Sequence, residues 1–148
     1  MVNESRMGIY EYIENILTSI TENVYLMEEP QELTEDDTTN GFIVITVGDL
    51  IDASEFKDST FGYARVYIRC YVPPISRGRL DTVKYKQFED AINAAIERAA
   101  EVDNNGTYWI DEDSILSSDG KDDGNANNTF YMFIKSFIVE IDGEQQNN

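Results

Sequence analysis

YARVYIRCYV, residues 63–72, alternates without a break. Successive side chains of a strand point to opposite faces. Ala64, Val66, Ile68, Cys70 and Val72 therefore line one side, and Tyr63, Arg65, Tyr67, Arg69 and Tyr71 the other. The first set suits a core. The second is aromatic and cationic, in a chain whose formal net charge is -18. Rings interleaved with Arg suit either a stacked nucleic acid or a protein partner.

Pro73 and Pro74 end this strand, because proline cannot donate to a sheet ladder. Upstream, FIVITVGDLI (42–51) is a nearly continuous apolar, β-branched run, as expected of a strand buried on both faces or covered by helices. Only the polar, turn-prone DASEFKDSTFG separates the two runs, so they are expected to pair antiparallel. Downstream the period changes. Tyr85, Phe88, Ile92, Ala95, Ile96 and Ala99 form a helical stripe between Asp81 and Val102, with Asp81 or Thr82 as the cap and Asp103-Asn104-Asn105-Gly106 as the stop.

An earlier amphipathic helix is predicted from Gly8 to Leu26, on the spacing of Ile9, Tyr12, Ile13, Ile16, Leu17, Ile20 and Val24. MEEPQELTEDDTTNG then reads as a long surface connection ending at Gly41. TYWIDEDSIL gives a third strand, SSDGKDDGNANN (117–128) a polar loop, and TFYMFIKSFIVEI a long last strand; a short polar tail follows Asp142. The order helix, two strands, helix, two strands predicts an α+β fold: a small, mostly antiparallel sheet with two amphipathic helices packed on one face. With 148 residues and no internal repeat, residues 1–148 are expected to form one domain.

An apolar content of 41% is too high for a disordered chain. The opening residues lack the charged-then-apolar pattern of an export signal, and no apolar run approaches the ~18 residues of a membrane span, so a soluble protein is expected. The glycosylation triplets at Asn3, Asn105 and Asn127 then need carry no sugar. There is no histidine, which removes the commonest general base, the Ser-His-Asp and Cys-His arrangements and every His-ligated metal site. The single cysteine, Cys70, rules out an internal disulfide, and its apolar strand face reads as a buried, inert thiol.

Two patterns invite metal chemistry. Asp119, Asp123 and Gly124 fit the first, fifth and sixth places of an EF-hand loop, but Lys121 takes the third ligand position and Phe130 the twelfth, where a bidentate Glu is needed. Glu55-Phe56-Lys57 and Asp119-Gly120-Lys121 match the Asp/Glu-x-Lys triplet of metal-dependent nucleases, a pattern that arises easily by chance in so acidic a chain. No cofactor or metal is expected. Basic residues crowd into one segment, Arg65, Arg69, Arg77, Arg79, Lys84 and Lys86, while the first helix and the following connection are acidic. A net charge of -18 repels a polyanion at a distance, so this polarity suits head-to-tail association of like molecules better than nucleic-acid binding.

In element order and loop placement, the succession FIVITVGDLI, YARVYIRCYV, PPISRGRL, KYKQFEDAINAAIERAAE, YWIDEDSIL and TFYMFIKSFIVEI resembles the tail-terminator and tail-completion (head-tail neck) proteins of tailed bacteriophages. The resemblance implies a non-enzymatic virion protein: a homo-oligomeric ring, commonly a hexamer, that caps the tail tube, contacts neck or connector proteins and lets DNA pass without gripping it. It also implies assembly in the host cytoplasm and no membrane. The resemblance carries over no binding residue; from the residues themselves, Arg65, Arg69, Arg77 and Arg79 are expected to help make subunit or neck contacts, with Tyr63, Tyr67 and Tyr71 supplying amphipathic contact area. The alternative is an acidic binding or inhibitor module, such as a DNA mimic, which the net charge favours and the basic segment opposes.

Overall fold

The alternating stretch is the spine of a mixed β-sheet. In the computed structural model, residues 2–28, 30–52, 61–75, 79–101, 108–125 and 128–142 are described. The elements are α1 (Val2–Leu17), β1 (Val24–Leu26), α2 (Glu35–Asn40), β2 (Phe42–Val47), β3 (Ile51–Asp52), β4 (Phe61–Val72), α3 (Thr82–Glu101), β5 (Tyr108–Asn125) and β6 (Asn128–Asp142). The strand order is β1-β2-β4-β6-β5, with short β3 also on β4. All pairs are antiparallel except β1 with β2. The fold is α+β and mostly antiparallel, as expected.

Register follows from burial. Ile43, Ile45 and Val47 of β2 lie opposite Cys70, Ile68 and Val66 of β4, and Cys70, Val66 and Ala64 lie opposite Phe133, Phe137 and Val139 of β6. These residues share one buried cluster with Ile9, Ile13 and Leu17 of α1 and with Phe88, Ile92 and Ile96 of α3. Shifting β4 by one residue would exchange that set for its tyrosines and arginines, so the core specifies the pairing. Each fully buried Ile or Phe contributes roughly 1.5–3 kcal/mol relative to exposure. Tyr10, outside the predicted stripe, is also buried, and its hydroxyl accepts a 3.1 Å hydrogen bond from the Val47 amide at the end of β2. The Asp81 carboxylate accepts from the Lys84 amide at 3.0 Å, the expected cap of α3.

Four local expectations are corrected. The first helix ends at Leu17, and Val24–Leu26 is a parallel strand whose pairing with Ile43–Ile45 overrides the helical spacing. The acidic connection contains α2, so the described residues form three helices where two were expected; a capping box makes it, Thr34 Oγ1 accepting from the Asp37 amide (3.0 Å) and Asp37 Oδ2 from the Thr34 amide (2.9 Å). The 117–128 segment is strand rather than loop up to Asn125, paired with β6 to Asn125↔Asn128. Tyr71, placed on the open side, is buried. The Glu55-Phe56-Lys57 triplet, Arg77, Asn105, Asn127, the Asp103–Gly106 stop and the tail beyond Asp142 lie outside the described residues.

Candidate protein-docking face

The face of β4 that carries Tyr63, Arg65, Tyr67, Arg69 and Tyr71 divides into a covered end and a bare end. At the covered end Phe42, Val44, Tyr71 and Phe130 form a second buried cluster, against which Tyr25, Leu33 and Met132 pack. Phe42 stacks on Tyr71 with ring centroids 4.4 Å apart, and Phe130 meets both edge-on. Offset and edge-to-face aromatic pairs add about 0.5–1.5 kcal/mol each beyond area burial.

The cover is pinned by buried polar chemistry. The Tyr25 hydroxyl donates to Asp37 Oδ2 at 2.6 Å, and Asp37 is the fully buried residue of α2. Desolvation first, then the bond to Asp37 and that carboxylate's charge, push the Tyr25 phenol up to about 12. Beside it, Asp36 accepts from the side-chain amides of Asn23 (2.5 Å) and Asn40 (2.6 Å), which hold its carboxyl below the usual value. Within the acidic connection, Asp36 and Asp37 thus act as structural hydrogen-bond acceptors that hold α2 over this end of the face.

At the bare end, three strands present side chains in level rows. Arg65 is opposite Ile138 and Ile138 opposite Asp111; Tyr67 is opposite Ser136 and Ser136 opposite Leu116; Arg69 is opposite Ile134 and Ile134 opposite Ser118. Tyr67 is 41% and Leu116 61% exposed, and an open hollow of about 680 Å³ lies between Arg65, Tyr67, Leu116, Ser118 and Ile134. Arg65 donates to Ser136 Oγ at 2.6 Å, and Arg69 to the Tyr71 hydroxyl at 3.2 Å. Among the described residues neither guanidinium is ion-paired. Trp109 donates its indole N–H to Glu140 at the margin of this face.

The acidic edge of the face is a bulge. Between Asp111↔Ile138 and Leu116↔Ser136, four residues of β5 stand against one of β6. Ser114 holds the bulge by donating to the Asp111 carbonyl (2.6 Å) and accepting from the Ile138 amide (2.7 Å), while Asp111 Oδ1 accepts from the Asp113 amide (3.1 Å). Glu112 and Asp113 are exposed there.

Of the residues singled out in sequence, Tyr63, Arg65, Tyr67 and Arg69 thus share one partly exposed surface, and Tyr71 belongs to the cluster beside it. Arg79 is exposed in a separate bridge with Ile75, and Arg77 lies outside the described residues. The basic segment is not one patch. Lys86 pairs with Asp90 at 3.2 Å on the surface of α3, and Lys84 Nζ donates to the Thr39 carbonyl at 2.9 Å. The EF-hand register falls on the extended backbone of β5 rather than on a loop. Among the described residues no group of acidic or Cys side chains is placed to hold a metal. Cys70 is buried, and desolvation pushes its thiol well up.

Sequence reasoning missed the partners of the Arg row, Ile134, Ile138, Leu116 and Asp111, because strand pairing brings them together. It also missed Lys135, which alternates with Phe133 and Phe137 onto the core face. Its ammonium donates to Glu89 of α3 at 2.9 Å and to Ser117 of β5 at 2.8 Å. No helix among the described residues is long and apolar enough to cross a membrane. No protein-family model and no curated protein matches the sequence.

Proposed function

We propose that this chain is a non-enzymatic virion structural protein that assembles as a ring, a hexamer by preference, at the head-tail junction of a tailed bacteriophage. The observation that carries the reading is the bare end of the sheet. Arg65 and Arg69, without acidic partners among the described residues, stand beside Tyr63, Tyr67, Ile134, Ile138 and Leu116. Arginine and aromatic side chains around an apolar centre make an anchor for a protein partner. With α1 and α3 taken to cover the opposite face, this is the surface left for a tail-tube or neck protein. The net charge of -18 would let DNA slide through a ring without being held.

The test is to mix the purified chain with the tail-tube protein encoded by the same genome, image the products by negative-stain electron microscopy, and weigh them by light scattering. Rings seated on tube ends support the proposal, and Arg65→Glu with Arg69→Glu should abolish the seating. A folded chain that ignores tube and neck proteins at micromolar concentration would sink it, and tight salt-sensitive capture of a DNA-binding enzyme would put the DNA mimic in its place.

A further inference from the structure

The three-strand rows have a property that a docking face for an unrelated partner would not need: they are complementary to themselves. We infer that the bare face pairs with the same face of a second copy of this chain, about a two-fold axis running along β6 in the plane of contact. Such an axis carries β4 of one copy over β5 of the other and keeps each row at its own level. Arg65 then meets the partner copy's acidic bulge at Asp111, exposed Tyr67 meets exposed Leu116, and Arg69 meets the Ser118 hydroxyl, each contact made twice. Ile134 and Ile138 meet their own counterparts on the axis. An axis across the strands would instead set Arg on Arg, so charge selects the orientation.

The occupant is a second copy because the cations on β4 and the acids on β5 lie on opposite sides of one apolar line. At the rim, the Tyr63–Glu140–Trp109 row places Tyr63 over Trp109 but brings the two Glu140 side chains together. Seven residues of strand at ~3.4 Å across three strands at ~4.8 Å spacing give a flat footprint of a few hundred Å² per copy. That is well below the ~800 Å² per partner of a standard stable complex, so the pair is concentration-dependent. Pairing stands on this face alone and goes beyond the proposed ring, in which a tail or neck partner would displace the second copy.

The test is sedimentation equilibrium from about 5 μM to 1 mM, which should show reversible conversion from 16.9 kDa to twice that mass. Arg65→Glu alone and Asp111→Arg alone should each be monomeric to the top of that range. Mixed in equal amounts they should form a heterodimer, because a two-fold contact then restores Glu-Arg at one site and Asp-Arg at the other. Tyr67→Lys and Leu116→Glu, both at exposed positions, provide the same complementation if Asp111→Arg disturbs the bulge. Glu140→Gln should tighten the pair several-fold. A wild-type chain that stays monomeric at 1 mM, or singles that pair as well alone as mixed, would overturn the inference. A chain that pairs but never seats on tail tubes would leave it standing and fail the virion reading instead.

Discussion

Replacing Glu89 by Gln should destabilise the fold far more than replacing Lys135 by Met, although both changes delete the same ion pair. The Lys135 side chain is only 3% exposed, and its described acceptors are Glu89 Oε2 at 2.9 Å and Ser117 Oγ at 2.8 Å, with the Phe133 ring beside it at 5.7 Å. Glu89→Gln leaves an ammonium in that place with neutral acceptors. Removing one partner of a buried pair costs about 3–5 kcal/mol. Glu89 is 34% exposed and Gln keeps one oxygen, so the low end, about 3 kcal/mol, is expected. Lys135→Met leaves a Glu that water can solvate and puts an apolar chain of similar length beside the Phe133 ring. Its effect should stay within about 1 kcal/mol of wild type. In the Lys135→Met background, Glu89→Gln should then cost almost nothing. Urea unfolding at pH 7 and fixed protein concentration reads all four corners. At ~1.5–2 kcal/mol/M the Glu89→Gln midpoint should fall by about 1.5–2 M. Equal losses from the two single variants would refute the reasoning, because they would mean that the pair's geometry matters and its asymmetric burial does not.

Burial of the Tyr25 phenol, together with its bond to Asp37, should make stability fall between about pH 10 and 12. The unfolded phenol releases its proton near 10, whereas the folded one holds it to about 12, so the folded state binds more protons there and loses ground as pH rises. Tyr25→Phe should flatten that alkaline fall while costing about 1.5–3 kcal/mol at pH 7 for a hydrogen bond to a buried carboxylate, both measurable by urea melts across pH. Gly41→Ala should cost at least ~3 kcal/mol, lowering the thermal midpoint by about 10 °C, since its φ is +91° and a Cβ would lie 2.4 Å from the Tyr71 carbonyl oxygen. A drop of only a degree or two in the calorimetric midpoint would mean that the β2–β4 pairing yields there.

The strict alternation of residues 63–72 identifies both faces of β4, and five of its residues are buried as the pattern requires. It cannot say what covers the second face. Tyr71 is buried by Phe42, which it faces across β2, and by Phe130 from β6, contacts that exist only once the strands are in register. Val24–Leu26 was lost to the helix because Ile20 and Val24 continue a spacing of four, while its parallel partner lies beyond α2. The Thr34-x-x-Asp37 pattern of a capping box was present in the acidic connection and was readable. The polar run from Ser117 to Asn125 has little intrinsic preference for strand, and its pairing with the apolar β6 overrides that. Lys135 was also readable. A lysine alternating in phase with Phe133 and Phe137 must find a carboxylate on whatever packs above it.

Net charge and local charge act in opposite directions on the proposed pair, and salt separates them. Bringing two copies together concentrates two net charges of -18, a repulsion that reaches roughly 30 Å at 10 mM salt but only about 8 Å at 150 mM. The Arg65–Asp111 contacts act at a few ångströms and are screened substantially only near 1 M, where the Debye length is about 3 Å. Apolar contact around Ile134, Ile138, Tyr67 and Leu116 is not weakened by either change. Pairing should therefore tighten from 10 to about 150 mM sodium chloride and loosen again towards 1 M, and sedimentation at four salt concentrations would trace that maximum. Monotonic loosening from 10 mM would mean that opposite charges on the two copies meet over a far larger area than this face provides. Continuous tightening to 1 M would leave an apolar contact in which the guanidiniums take no part, and the two-fold orientation argued from Arg65 and Asp111 would lose its basis.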